Sequence, residues 1–241
     1  MENVPAHRLG DASPGALRRS GGLWWHLRAM RYRRLHDPFR RSIASFLGAW
    51  SPGAVELIVV GPSAGWCLPR PFLHRFSRLM LVDLDTSAPF FFSVRHARAL
   101  QRAGVRIEWR HEDFVRCLPE VLSVRPAAAV LFCNVLGQLA LERGDHERCL
   151  ALLPGWLTGR SWASFHDRFS AILPPADGRG DPHPFVSHAP MDAIMLRRFA
   201  LSREWTDHGT DGVLPEGTVR HYLPWRIIPE RFHWIEAGWV T

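Results

Sequence analysis

Apolar positions along the chain follow two periods, and the switch between them lays out the fold. From Gly22, Leu23, Leu27, Met30 and Leu35 recur at helical spacing with Arg28, Arg31 and Arg34 around them, which predicts a first helix. Asp37 then stands as an N-cap with Pro38 at the first helical position. Phe39, Ile43, Phe46, Leu47 and Trp50 follow on one face, with Arg40, Arg41, Ser42 and Ser45 on the other. Past the Pro52-Gly53 break the period changes. Val55–Val60, Arg78–Leu84, Val105–Trp109, Ala128–Cys133 and Ser161–Phe165 are short, largely apolar runs, and stretches 86–103, 114–123 and 139–153 between them predict helices. Near-continuous apolar strands alternating with helices predict a parallel sheet covered on both faces, the doubly wound α/β class.

After Ser170 the character changes. Prolines 174, 175, 182, 184 and 190 with Gly178 and Gly180 predict a long irregular loop. A short helix over Met191–Leu201 and a polar loop over 206–212 follow. Val219–Ile228 and Phe232–Val240 predict an antiparallel closing pair around the turn Pro229-Glu230-Arg231. The expected organisation is a Gly/Ser/Pro-rich lead-in over 1–20, a helical cap over 21–50, and one α/β domain over 51–241. Residues 171–218 form its loop-rich substrate or lid region.

Composition narrows the chemistry. The chain has 241 residues, and all 30 of its basic residues are arginine. Without lysine there is no Walker-A lysine and no Schiff-base lysine. Residues 1–41 hold nine arginines against three acids, so a surplus of six of the net +7 sits at the N-terminus. That local basicity can attract phosphate or nucleic acid. Four cysteines (67, 117, 133 and 149) with no paired spacing predict reduced thiols and a cytoplasmic setting. No run is long and apolar enough to predict a membrane span.

In an open α/β sheet the ligand lies beyond the carboxyl ends of the strands, so the strand-end residues carry the functional signal. The first strand runs into Gly61-Pro62-Ser63-Ala64-Gly65, and the second ends at Asp83 and Asp85. A carboxylate roughly 20 residues beyond a glycine turn can accept hydrogen bonds from ribose hydroxyls. Strand three ends near Asp113 and strand four at Asn134.

LIVVGPSAG (57–65), LMLVDLD (79–85), RHEDF (110–114), PAAAVLFCNVLGQL (126–139) and LLPGWLTGRSWASF (152–165), in that order, resemble the motifs of class I S-adenosylmethionine-dependent methyltransferases. The resemblance covers roughly residues 53–170. It implies a Rossmann-like fold, S-adenosyl-L-methionine as cofactor, and cofactor contacts from Gly61, Ser63, Gly65, Asp83, Asp85, Asp113 and Asn134. Two positions depart from the family turn: Val59 stands where an acid is usual, and Ser63 replaces the middle glycine.

For the transfer itself, Asn134 can orient a nucleophile. His166 and Asp167, expected just after strand five, form the candidate acid–base pair. His183, His188, Asp207, His208 and Asp211 in the later loops have no metal-ligand spacing, so no metal is expected. Trp205, Tyr222 and Trp225 can line an aromatic pocket, and Trp66 either stacks on the cofactor or fills core. The expected reaction is methyl transfer to an oxygen or nitrogen nucleophile of a small molecule or peptide. Two alternatives stay open. Val59 and Ser63 admit a catalytically silent fold serving as a protein-binding subunit, and the Arg-rich leading helices admit an RNA methyltransferase or binder. A protein partner or a homodimer is compatible with each.

Overall fold

A computed structural model describes residues 22–142, 144–172, 182–192, 194–195 and 205–241. The lead-in over 1–20 and most of the expected helix over 191–201 lie outside them.

Helices α1 (Gly22–Arg31) and α2 (Asp37–Ala49) precede β1 (Glu56–Val60), α3 (Arg70–Leu73) and β2 (Arg78–Val82). Next, α4 (Ala88–Phe92) passes through one π turn, Ser93–Ala97, into α5 (Arg98–Arg102). Then come β3 (Arg106–Arg110), α6 (Phe114–Val124), β4 (Ala129–Cys133), α7 (Leu136–Glu142), α8 (His146–Leu157) and β5 (Trp162–Ile172). Short strands β6 (Phe185–Ser187) and β7 (Trp205–Asp207) lead to the hairpin β8 (Arg220–Ile228) and β9 (Arg231–Val240).

The sheet order is β3-β2-β1-β4-β5-β9-β8-β6, with β7 on the outer half of β5. Strands β1 to β5 are parallel, whereas β9 is antiparallel to both β5 and β8. Strand residues alternate between two cores. Leu57, Val59, Leu79, Leu81, Ala129 and Leu131 face the layer that contains α2. Ile58, Val60, Met80, Val82, Val130 and Phe132 face the layer of α6, α7 and α8. Both faces of these strands are therefore apolar, because side chains of a strand point alternately to each face.

Helix α2 forms as its pattern predicts, with Phe39, Ile43, Phe46 and Leu47 buried. Each fully buried side chain of this kind contributes about 1.5–3 kcal/mol before ordering costs. His36 takes the N-cap position, and Asp37, expected there, is the first helical residue. The His36 ring docks the helix onto β8 through Nε2 and the Ile227 carbonyl, 2.8 Å. Trp225 of β8 lies flat on Phe39, 4.4 Å between centroids.

Helix α1 differs from its sequence pattern. Leu23, Leu27 and Met30 share a face, but that face is exposed, and His26 and Ala29 are buried instead. The physical reason is polar: His26 is held by Asp85 and by the Trp66 indole. The predicted closing hairpin is present. Tyr222 and Trp225, expected to line a pocket, are core residues, and Trp205 packs edge-on against Phe169.

Candidate active site

Turn residues Gly61, Ser63 and Gly65 all take left-handed backbone conformations. A Cβ at Gly61 would lie 2.8 Å from the Val135 Cβ, and one at Gly65 2.7 Å from His96 Nε2. Both positions therefore need glycine for space as well as for φ. Ser63 tolerates its φ of 50° with a short side chain, and its hydroxyl is buried without a hydrogen-bond partner. Val59 is wholly buried in the core, so it organises nothing in the turn. Asp83 does that instead: its Oδ2 accepts the Ser63 N–H at 2.7 Å and its Oδ1 accepts the Asp85 N–H at 2.9 Å. Burial raises the Asp83 pKa, and these two N–H donors oppose that rise. Two backbone donors leave a carboxylate room for further ones.

His96, on the π turn behind this loop, donates Nε2–H to the Gly65 carbonyl at 3.1 Å. Desolvation brings its pKa down to about 4, so the ring stays neutral. No sequence signal marked this residue, since the register of a π turn is not visible in a periodicity.

Asp85 and Asp113 each make hydrogen bonds of their own. Asp85 accepts Ser87 N–H and O–H through Oδ1 and His26 Nε2–H through Oδ2. It shapes the entry to α4 and anchors α1. Asp113 is the N-cap of α6 and accepts the Val115 N–H at 3.0 Å. Trp66 neither fills core nor stands free. It donates its indole N–H to His26 Nδ1 at 3.1 Å and carries the Arg95 guanidinium 4.0 Å above its ring.

Strand five is longer than expected, so His166 and Asp167 lie within β5 rather than after it. Consecutive strand residues project to opposite faces, and the two are not brought together. His166 is fully buried between the Ser164 hydroxyl at 2.9 Å and Glu236 at 3.3 Å. That network continues through Tyr222 and Arg220.

Asp167 points toward the end of β4. Its Oδ2 accepts Asn134 Nδ2–H at 3.0 Å, and its Oδ1 accepts His233 Nδ1–H at 2.6 Å. Burial alone would raise the Asp167 pKa; the charge of His233, its hydrogen bond and that of Asn134 outweigh it and hold the carboxyl at about 2. Asn134 itself has a left-handed backbone with φ of 55°, its N–H bonded to the Phe165 carbonyl. The Nε2 of His233 and the Oδ1 of Asn134 are both buried with no hydrogen-bond partner.

Sequence reasoning missed His233. It sits on β9, 66 residues from Asp167, and reaches it across the antiparallel pairing in which Asp167 faces Ile235, two residues along β9 from His233 and on the same face.

A second imidazole completes the cluster. His208 meets the Gly137 carbonyl through Nδ1 at 3.0 Å and the Ser170 hydroxyl through Nε2 at 2.9 Å. Asp167, His208 and His233 place one ligand atom each within 4.8 Å of one another. They could hold a metal only if His208 gave up these bonds, so the arrangement is a hydrogen-bonded network as it stands. Asp207 and Asp192 clamp the buried Arg168 at 2.6 and 2.7 Å, which pins the loop carrying His208 to β5. Asp211 lies 3.9 Å from the same guanidinium. His183 and His188 are exposed.

No protein-family profile matches the chain, and no curated protein matches it. Solved structures do. Magnesium protoporphyrin IX methyltransferase (ChlM) of Synechocystis PCC 6803, with bound SAM, matches at 12% identity and TM-score 0.45, covering 94% of this chain and 91% of its own. The N-methyltransferase NodS of Bradyrhizobium japonicum WM9, in complex with S-adenosyl-L-homocysteine, matches at 14% and 0.39, covering 94% and 93%. The glycopeptide N-methyltransferase MtfA matches at 14% and 0.40, covering 82% and 88%.

The fold is Rossmann-like. The order and direction of its strands make it so, and a fold does not fix a chemistry. No helix among the described residues is long and apolar enough to cross a membrane.

Proposed function

We propose that this chain transfers the methyl group of S-adenosylmethionine to an oxygen or nitrogen nucleophile of a small molecule or peptide. One observation carries the reading. The carboxyl ends of β1, β2 and β4, with the middle of β5, present side by side a left-handed glycine turn locked to Asp83 and an ionised Asp167 bonded to both Asn134 and His233. Contact continues between the two halves, since Val135 packs against Gly61 and its neighbour Asn134 bonds Asp167.

The residues fit the cofactor chemically. Asp83 keeps acceptor capacity for ribose hydroxyls, the orphaned Ser63 hydroxyl offers a donor to a carboxylate, and the Gly61 and Gly65 backbone stays free of side chains. Bound there, S-adenosylmethionine supplies an electrophilic methyl group.

The chain's own contribution is a proton acceptor. In its neutral form the His233 ring, with Nδ1–H held by Asp167, leaves its lone pair on Nε2, the geometry of an oriented general base. It would take the proton of a hydroxyl as that oxygen becomes methylated, or free an amine from its ammonium form before the nitrogen attacks. Asp167 and Asn134 are positioning residues that fix the ring and its tautomer. Asp85, Asp113 and His166, placed among the site residues by sequence, serve here as structural supports.

Calorimetry on the full chain with S-adenosylmethionine and S-adenosylhomocysteine tests the reading. Both are expected to bind, and Asp83→Asn should weaken them by at least about tenfold, or 1.4 kcal/mol. His233→Gln should leave that affinity unchanged, because the proton acceptor serves the nucleophile. No heat with either ligand at millimolar concentration would overturn the cofactor assignment and favour a silent, partner-binding role.

A further inference from the structure

Beside the glycine turn, on the α2 side, lies a cleft of 240 Å³. Arg40 and Arg41 of α2 form one wall, and Trp66 with Leu68 and Pro69 forms the other. Arg95 stacks on the Trp66 ring at 4.0 Å, and Arg70 donates to the Arg95 carbonyl at 2.5 Å. Arg40 and Arg41 thus line the cleft itself, Arg95 covers its Trp66 wall, and Arg70 is tied to the Arg95 backbone.

Their counter-charge is missing. Asp37 lines the same cleft and pairs with Arg40 at 3.2 Å. Among the described residues no carboxylate pairs with Arg41, Arg70 or Arg95. Arg95 Nε is buried and meets no acceptor. Buried donors are nearly always satisfied, and gathered like charges raise each other's energy. Desolvation, with Arg40 and Arg70 nearby, brings the Arg95 pKa down to about 10. A bound anion would relieve both the unmet donor and the repulsion.

We infer that this cleft is a binding site for a small oxyanion, a phosphate monoester or a carboxylate, separate from the cofactor's place at Asp83. Guanidinium forks match the paired oxygens of either group, and the Trp66, Leu68 and Pro69 wall favours a ligand whose anionic head carries a short apolar or planar body. The wall also touches the proposed methyl-transfer site: Trp66 bonds His26, and His26 bonds Asp85 at the end of β2. The inference stands whether or not the chain binds S-adenosylmethionine.

The test uses the full chain and inorganic phosphate followed by phenyl phosphate, titrated by calorimetry at low ionic strength. Phosphate is expected to bind, and phenyl phosphate more tightly because of the aromatic wall. Arg40→Gln combined with Arg41→Gln, both on the surface of α2, should weaken phosphate by at least about tenfold. Arg95→Met should do likewise, with circular dichroism confirming that it folds. Arg33→Gln combined with Arg34→Gln, outside the cleft, should change nothing. Equal weakening by both double variants would mean diffuse attraction to a basic surface and would overturn the site, as would no binding at all. Competition between phosphate and S-adenosylhomocysteine would also overturn it, since the cleft would then be part of the cofactor's own site; simultaneous binding supports it.

Discussion

Replacing Asp167 with asparagine probes the centre of the cluster directly, because shape is kept and charge is lost. In the native chain the carboxylate accepts from His233 Nδ1 at 2.6 Å and from Asn134 Nδ2 at 3.0 Å. Its pKa falls from 3.8 to about 2 on folding. A carboxyl whose folded pKa is depressed adds stability that is fully present above the unfolded value and is lost as pH falls through the folded one. The depression corresponds to about 2 kcal/mol at pH 7, of which roughly half is gone by pH 3. Asparagine cannot titrate there, and its amide turns a donor toward either Asn134 or His233, both donors themselves. The stability gap between native chain and Asp167→Asn is therefore expected to shrink by about 1 kcal/mol between pH 7 and pH 3. Urea unfolding followed by tryptophan fluorescence at pH 7, 5, 4 and 3 measures it. A gap of the same size at pH 7 and pH 3 would refute the claim that Asp167 is held ionised by these two partners.

Other substitutions examine the same region from different sides. Gly137→Ala would put a Cβ 2.8 Å from the Asp167 Cβ and 2.9 Å from its carbonyl oxygen; it should cost about 1–3 kcal/mol in urea unfolding and disturb the His233 ring N–H resonance seen by NMR. Gly65→Ala, at φ +65° and 2.7 Å from His96 Nε2, should weaken S-adenosylhomocysteine by at least about tenfold in calorimetry. Gly104→Ala, at φ +75° in open space, should leave that binding intact. His96, neutral in the fold with its pKa at about 4 against 6.5 when unfolded, lets the unfolded chain bind the extra proton between those values. Stability should therefore fall on acidification from pH 6.5 to pH 4, by up to about 3 kcal/mol, and His96→Gln should flatten that slope in unfolding measured at pH 6.5 and 4.5.

What the sequence by itself determined was the part of the protein governed by local period and by chain order. Apolar runs such as Leu57–Val60 and Ala129–Cys133 are buried on both faces, so a parallel sheet follows from composition alone. The left-handed turn at Gly61 and Gly65 and the acid at Asp83 follow from short-range spacing. Tertiary structure decided whatever depends on register. The antiparallel pairing of β9 with β5 brings His233 to Asp167, whereas His166, one residue earlier, turns to Glu236 on the opposite face. The apolar stripe of α1 points outward because two polar contacts from His26 hold the other side down. Such pairings join residues tens of positions apart through single hydrogen bonds, and a one-residue slip would undo each of them. Periodicity records which face of an element is apolar; it does not record which distant side chain that face will meet.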